Sequence, residues 1–431
     1  MRLELVRVIT LSITGFDAPL LKSGLDEAHV SLQTIETVLR PYMAHAGNDS
    51  VRRSLASCEA WLTDHRDFDT FDHLRFLTEH ALPLQEQLGG MIAGMGLEIN
   101  EKGVLNYRAK NIFSPDILNM NAFRKNAGGD SALTELGRKL FFETRLSANG
   151  TRSCASCHNP ALHFTDGLPK SNGIHPGQAT RRNAPTLLYS SFQHAQFWDG
   201  RSATLEDQVR AVIHDSLEMN GKPIETIRKL ARSRSYRRLI RKVAPDRRDV
   251  NDTLVYRAIA AYVGTLKPFN SNFDRYMAGD RAALTDGQKR GFNLFMGKAQ
   301  CGTCHFAPLF NGLIPPLYTL TEFEILGTTA TDDLEHPQAD ADSGRFETRP
   351  TPYYQRAFKT PTVRNAAVTA PYMHNGAFAS LEKVIDFYDR GGGAGLGLDV
   401  PHQTLAAEPL NLTDQEKSDI IAFLEALTDP L

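Results

Sequence analysis

Apolar residues recur at three- and four-residue spacing over 24–46, 50–65 and 70–96. Phe71, Leu74 and Leu77 form one such series, and Leu84, Leu88, Met91, Ile92 and Met95 another. This period puts the apolar side chains on one face of a helix and predicts three or four amphipathic helices. Gly89 and Gly90 weaken the last of them. The opening MRLELVRVITLSITG is apolar but interrupted at Glu4 and Arg7, so it reads as an ordinary first helix or strand. Residues 106–115 are less periodic and end in Ser-Pro, which suits a connection.

Beyond about residue 126 the pattern repeats. Leu136-Gly-Arg-Lys-Leu-Phe-Phe142 and Gly291-Phe-Asn-Leu-Phe-Met-Gly297 are each a short amphipathic helix running into a loop. Thr285…Gln288 and Thr413…Glu416 have capping-box spacing, and the second introduces a final helix with Ile420, Ile421, Phe423, Leu424 and Leu427 on its apolar side. Residues 329–352, rich in Asp, Thr and Pro, read as a surface loop. The glycine-dense Gly391–Gly397 does not follow a strand into a helix, so it is no nucleotide-binding turn.

Composition adds exclusions. Across 431 residues, 48 Lys plus Arg face 50 Asp plus Glu, a net charge of −2 that rules out a broadly cationic nucleic-acid binder while leaving room for a local basic patch. No apolar run is long enough to span a membrane. The cysteines are the strongest signal. Four of the five form two copies of one pattern, Cys154-Ala-Ser-Cys157-His158 and Cys301-Gly-Thr-Cys304-His305, and Cys58 stands alone. Two thiols three residues apart can form thioethers to the vinyl groups of one porphyrin, and the histidine that follows then lies beneath the iron. A zinc ribbon would need thiolates drawn from both motifs, which their wide separation disfavours, and a redox dithiol does not account for the histidine. Two c-type haems are expected. Their attachment implies a periplasmic chain, although no export signal is visible in the sequence.

The surroundings of these motifs carry a resemblance. Leu136–Pro160, Arg182-Asn-Ala-Pro-Thr186, Gln196-Phe-Trp-Asp-Gly-Arg201, Phe358-Lys-Thr-Pro-Thr-Val-Arg-Asn365 and Ala370-Pro-Tyr-Met-His-Asn-Gly376 resemble the bacterial dihaem cytochrome c peroxidases and their MauG-type relatives. The resemblance covers about residues 130–430. It implies a mainly α-helical fold: an N-terminal helical domain over 1–125, then two cytochrome c-like domains over 126–275 and 276–431, each with one covalently attached haem.

The resemblance also implies roles. His158 would be the proximal ligand of a peroxidatic haem, and His305 that of an electron-transfer haem. Glu218 matches a distal glutamate that moves a proton between the oxygens of hydrogen peroxide, and Gln208 a glutamine in the same pocket. Trp198 matches a tryptophan placed between the haems, although a core aromatic is the plainer reading of an isolated Trp. His175, in a loop flanked by Gly and Pro, resembles a histidine that blocks the peroxidatic iron until the second haem is reduced; a surface histidine is the alternative. Asn183, Thr369 and Pro371 match oxygen ligands of a calcium ion, with turn formation as the alternative.

The second axial ligand of the second haem is the informative position. Met373 is a candidate, since a thioether often partners histidine in electron-transfer haems. The resemblance instead points to Tyr388, where reductive peroxidases carry Met and MauG-type enzymes Tyr. A phenolate stabilises Fe(III) and makes Fe(IV) more accessible, so Tyr388 favours storage of oxidising equivalents over easy electron uptake. The tryptophan that MauG uses ahead of its second motif is absent, its place taken by Lys298-Ala-Gln300. The expected activity is peroxide reduction with electrons from a small cytochrome c or copper protein. Two alternatives stand beside it: peroxide-driven oxidation of a residue on a partner protein, and a non-catalytic electron carrier.

Overall fold

The computed structural model describes residues 1–44, 49–97, 99–123 and 130–431. Helices dominate, and among the described residues a two-stranded sheet pairs Phe323–Glu324 antiparallel with Phe358–Lys359. Among the described residues no helix is long and apolar enough to cross a membrane.

The amino terminus is a helix, Arg2–Arg7, that continues as a π-helical stretch, Val8–Ser12. Leu5, Val8, Ile9 and Ile13 are wholly buried there, so the opening apolar stretch is a core element. Around it pack Gly24–Met43, Asp49–Asp64 and a continuous helical run from His73 to Gly94 whose middle is π-helical. Cys58 is buried among these helices, and desolvation pushes its thiol up to about 12, which leaves it inert at neutral pH.

Two helix crossings of one design follow. Asp130 caps Ser131–Phe141, which crosses Asp252–Val263; a Cβ on Gly137 would sit 1.8 Å from the Ala258 carbonyl oxygen and 3.1 Å from Tyr262 Cβ. Asp286–Met296 crosses Asp414–Ala426, and both capping boxes expected from sequence are formed. A Cβ on Gly291 would sit 1.8 Å from the Asp419 carbonyl oxygen and 2.9 Å from Phe423 Cβ. In each crossing the glycine meets residues i and i+4 of its partner, so backbone touches backbone. The sequence repeat is thus a repeat of packing.

The boundary expected at 125/126 falls among residues 124–129, outside those described. Residues 275 and 276 lie inside the helix Asn272–Met277, whose Phe273 packs among Phe292, Phe310 and Phe423 of the second crossing. The amino-terminal helices sit against this second unit. The Leu74 N–H donates to Asn293 Oδ1 at 2.8 Å, Asn293 Nδ2 donates to Asp72 at 2.9 Å, and Phe16 meets Phe306 edge-on at 5.3 Å. One hydrophobic core runs through all three regions.

Residues 329–352 lie largely at the surface, as expected, and are anchored to the interior at a few points. Thr329 and Leu334 are buried, and Asp340 accepts from His374 at 3.0 Å and from Asn375 at 3.1 Å. Asp340 and Asp342 are satisfied by the buried donors His374, Asn375 and Arg182, which hold this surface segment down like a strap.

Candidate active site

Each Cys-x-x-Cys-His motif opens with a single 3₁₀ turn, Cys154–Ser156 and Cys301–Thr303. The His158 N–H donates to the Cys154 carbonyl at 3.0 Å, and the His305 N–H to that of Cys301 at 2.9 Å. Both imidazoles are held through Nδ1, His158 to the Phe164 carbonyl at 3.0 Å and His305 to the Pro361 carbonyl at 3.0 Å. A donating Nδ1 leaves the Nε2 lone pair for a metal. Burial lowers both histidines, His305 to about 4, which keeps them in the neutral, ligating form. All four motif thiols are free of disulfides. Two thiols beside one metal-ready imidazole fit a thioether-linked haem at each motif. Among the described residues no three His, Cys, Asp or Glu side chains converge on a metal position.

Glu218 follows the helix Leu205–His214 in a turn shaped by Asp215, whose Oδ1 accepts from the N–H groups of Leu217 at 2.8 Å and Glu218 at 3.2 Å. Burial, reinforced by Asp215, pushes the Glu218 carboxyl up to about 7, with Arg201 opposing. Its charge also raises the thiols of Cys154 and Cys157, so the carboxylate lies beside the first motif. Gln208 is half-buried on the preceding helix. The Ile174 N–H donates to the Leu217 carbonyl at 2.7 Å, tying the loop of His175 next to Glu218, while His175 itself is exposed.

Trp198 lies where the two units meet. Its indole N–H donates to the Asn183 carbonyl at 3.0 Å, and its own carbonyl accepts from the Lys359 N–H at 2.7 Å. Around it sits a clamp that sequence reading missed. Arg182, its side chain 8% exposed, pairs with Asp199 at 2.6 Å and Asp342 at 2.7 Å. Lys359 is buried, lowered by desolvation to about 7, and its ammonium meets Gln193 and the Ala195 carbonyl. Arg182 and Lys359 were inside quoted motifs; only their partners, distant in sequence, reveal the clamp. The Asn183 N–H donates to the His374 carbonyl at 2.7 Å, which joins Asn183 to the stretch holding Thr369 and Pro371.

Tyr388, on the helix Leu381–Asp389, packs with Met373 against a small cluster of Leu334, Phe378 and Phe387. Its phenol is pushed up by burial first and then by Cys304, Cys301 and Glu324, which sets it beside the second motif. A bound ferric ion would reverse that direction by displacing the proton.

The family described as di-haem cytochrome c peroxidase matches residues 131–282. A cytochrome-c peroxidase, IdrP2, of Denitromonas iodatirespirans is 36% identical over 329 residues, covering 72% of this chain and 86% of the relative. The methylamine utilization protein MauG of Methylorubrum extorquens is 35% identical over 292 residues, covering 68% and 77%. Among solved structures, a MauG-like protein associated with microbial copper homeostasis aligns with a TM-score of 0.60 at 31% identity, over 70% of this chain and 91% of that one. The diheme peroxidase BthA of Burkholderia thailandensis aligns with a TM-score of 0.55 at 28% identity, over 72% and 89%. With paired haem-binding turns and relatives of this extent, the chain belongs to the di-haem cytochrome c peroxidase family, oxidoreductases acting on peroxide.

Proposed function

We propose that this chain reduces hydrogen peroxide to water at a haem held by Cys154, Cys157 and His158. Electrons arrive from a second haem held by Cys301, Cys304 and His305, by way of Trp198. The domain layout that goes with this reading is an N-terminal helical domain followed by two cytochrome c-like domains. The observation that carries it is Glu218, a buried carboxyl beside the first motif raised to about 7. The haems supply redox-active iron on which peroxide can bind and through which electrons can move. Glu218 takes a proton from the near oxygen of peroxide and returns it to the departing one, and Gln208 orients the same molecule. Two electrons and two protons convert one peroxide to two waters. Trp198, clamped by Arg182 and Lys359, holds an indole in fixed orientation across the boundary between the units. His175 closes the peroxide face until the second haem is reduced. A calcium ion among Asn183, Thr369 and Pro371 steadies the same boundary. Haem attachment through thioethers is carried out on exported chains, which supports a periplasmic location.

Rapid peroxide-dependent oxidation of a reduced small cytochrome or copper protein is the expected result. Tyr388 beside the second motif favours a second reading, oxidation of a residue on a partner protein. A near-infrared charge-resonance band after peroxide, with negligible donor turnover, selects that reading. Absence of any reaction with peroxide rejects both.

A further inference from the structure

Glu324 lies on the strand Phe323–Glu324, and Glu322 precedes it by two residues, so the alternation of an extended chain puts both carboxylates on one face. That face looks onto the second haem motif. The Cys304 thiol donates to Glu324, and after burial the charges of Glu324 and then Glu322 are what raise that thiol. Glu324 is also among the charges that raise the Tyr388 phenol after burial. The carboxylate thus acts both on a motif cysteine and on the residue proposed as axial ligand.

The pair is buried and has no counter-ion. Glu324 is 8% exposed, and Glu322 Oε2 is shut from solvent without a hydrogen-bond partner. Among the described residues the other buried carboxylates are all answered. Asp199 pairs with Arg182, Asp419 with Arg290 and Glu143 with Arg145, while Asp429 accepts from the Tyr189 hydroxyl at 2.6 Å and from Asn365 at 2.9 Å. The cations of the two-stranded ribbon lie on its other face: Lys359 stands across from Phe323, and the Arg345 guanidinium sits 3.9 Å over the Phe323 ring. Haem attachment turns the Cys304 thiol into a thioether, which has no proton to donate, so Glu324 loses that bond too. A buried carboxylate left without a partner costs folding stability, and this chain keeps two side by side.

We propose that Glu322 and Glu324 are the electrostatic counter-charge of the second haem and hold its iron in the oxidised state. The proposal rests on the two-haem reading above and gives the second haem a redox control separate from its axial ligands. Both are positioning residues: they act on the charge of the haem and do not touch peroxide. Ferric haem carries one more positive charge than ferrous haem, so a fixed negative charge in a dry site favours Fe(III). Within roughly 10 Å, at an effective dielectric near about 20, one such charge moves a one-electron equilibrium about tenfold. Burial, with Glu324 behind it, pushes Glu322 up to about 7, so Glu324 carries the charge and Glu322 stands in reserve. Both have to be neutralised to read the whole effect.

The test is an anaerobic redox titration of the holoenzyme, with neither peroxide nor donor protein present. In E322Q/E324Q the second haem should shift toward Fe(II) by about tenfold or more, a midpoint rise of about 59 mV for each factor of ten. The first haem should keep its midpoint. Visible and EPR spectra should keep the wild-type axial-ligand signals, which separates this shift from that of Tyr388→Met. Glu324→Asp retains the charge and should titrate nearer the wild type than the double variant. E408Q/E425Q, which removes two exposed carboxylates of the same unit, should leave both midpoints in place. An unmoved second midpoint in E322Q/E324Q overturns the proposal. An equal rise in E408Q/E425Q does so as well, because it assigns the effect to overall charge. Should the double variant not fold, Glu324→Gln alone should give a smaller rise, and no rise there overturns the proposal. A pyridine haemochrome assay keeps the two failures apart. One haem per chain defeats the two-haem reading and the proposal with it, whereas two haems with an unmoved midpoint defeat the proposal alone.

Discussion

Glu218 has to be ionised to accept a proton from peroxide, yet burial and Asp215 raise it to about 7. Peroxide cleavage should therefore lose rate as pH falls through about 7, and stopped-flow rates against pH would show the inflection. Glu218→Gln should slow cleavage by about 10²–10⁴-fold and remove that inflection. The same shift has a stability sign. A carboxyl raised above its ordinary 4.5 favours the folded state most at low pH, and that contribution is lost as pH climbs through about 7. Glu218→Gln should thus gain in urea midpoint over the wild type at pH 8 and not at pH 4. Tyr388 sets a second test at this scale. Replacing its hard oxygen by sulfur, in Tyr388→Met, should raise the potential of the second haem in a redox titration; an unchanged potential would show that Tyr388 is not the ligand.

At the scale of elements, the glycines separate by what they touch. Gly137 and Gly291 each leave room for a partner backbone within 2 Å of a missing Cβ, whereas Gly90, in Leu82–Gly94, faces open space. Gly291→Ala should push the crossing helices apart and cost about 1–3 kcal/mol in denaturant unfolding. Gly90→Ala should be neutral or stabilising by up to about 1 kcal/mol, because it only restores helix propensity. The capping boxes were legible from Thr285…Gln288 and Thr413…Glu416, since both partners lie within one turn of the chain. The anchoring of 329–352 was not, because Asp340 and Asp342 look as solvent-seeking as their exposed neighbours until His374 and Arg182 arrive from elsewhere.

For the whole molecule, the Arg182 clamp ties the Trp198 turn to the second unit. Arg182→Ala would leave Asp199, 2% exposed, with Arg201 at 3.0 Å as its remaining cation and should cost about 1–3 kcal/mol. It should also slow electron equilibration between the haems in flash or stopped-flow measurements, while leaving the axial-ligand spectra unchanged. The amino-terminal helices meet the second unit through Phe16 against Phe306 and through Asp72 and Leu74 on Asn293.

The sequence by itself determined what is local. Haem attachment needs two thiols and a histidine within five residues, and helix caps need partners three residues apart, so both are readable along the chain. Glycines at 137 and 291 could be read as a repeat, though not as crossings. Tertiary structure alone decided what depends on residues far apart: the burial that raises Glu218, the carbonyls that fix His158 and His305, and the ion pairs that hold Trp198. Desolvation and ion pairing are properties of an environment, and the environment is assembled only when the chain closes on itself.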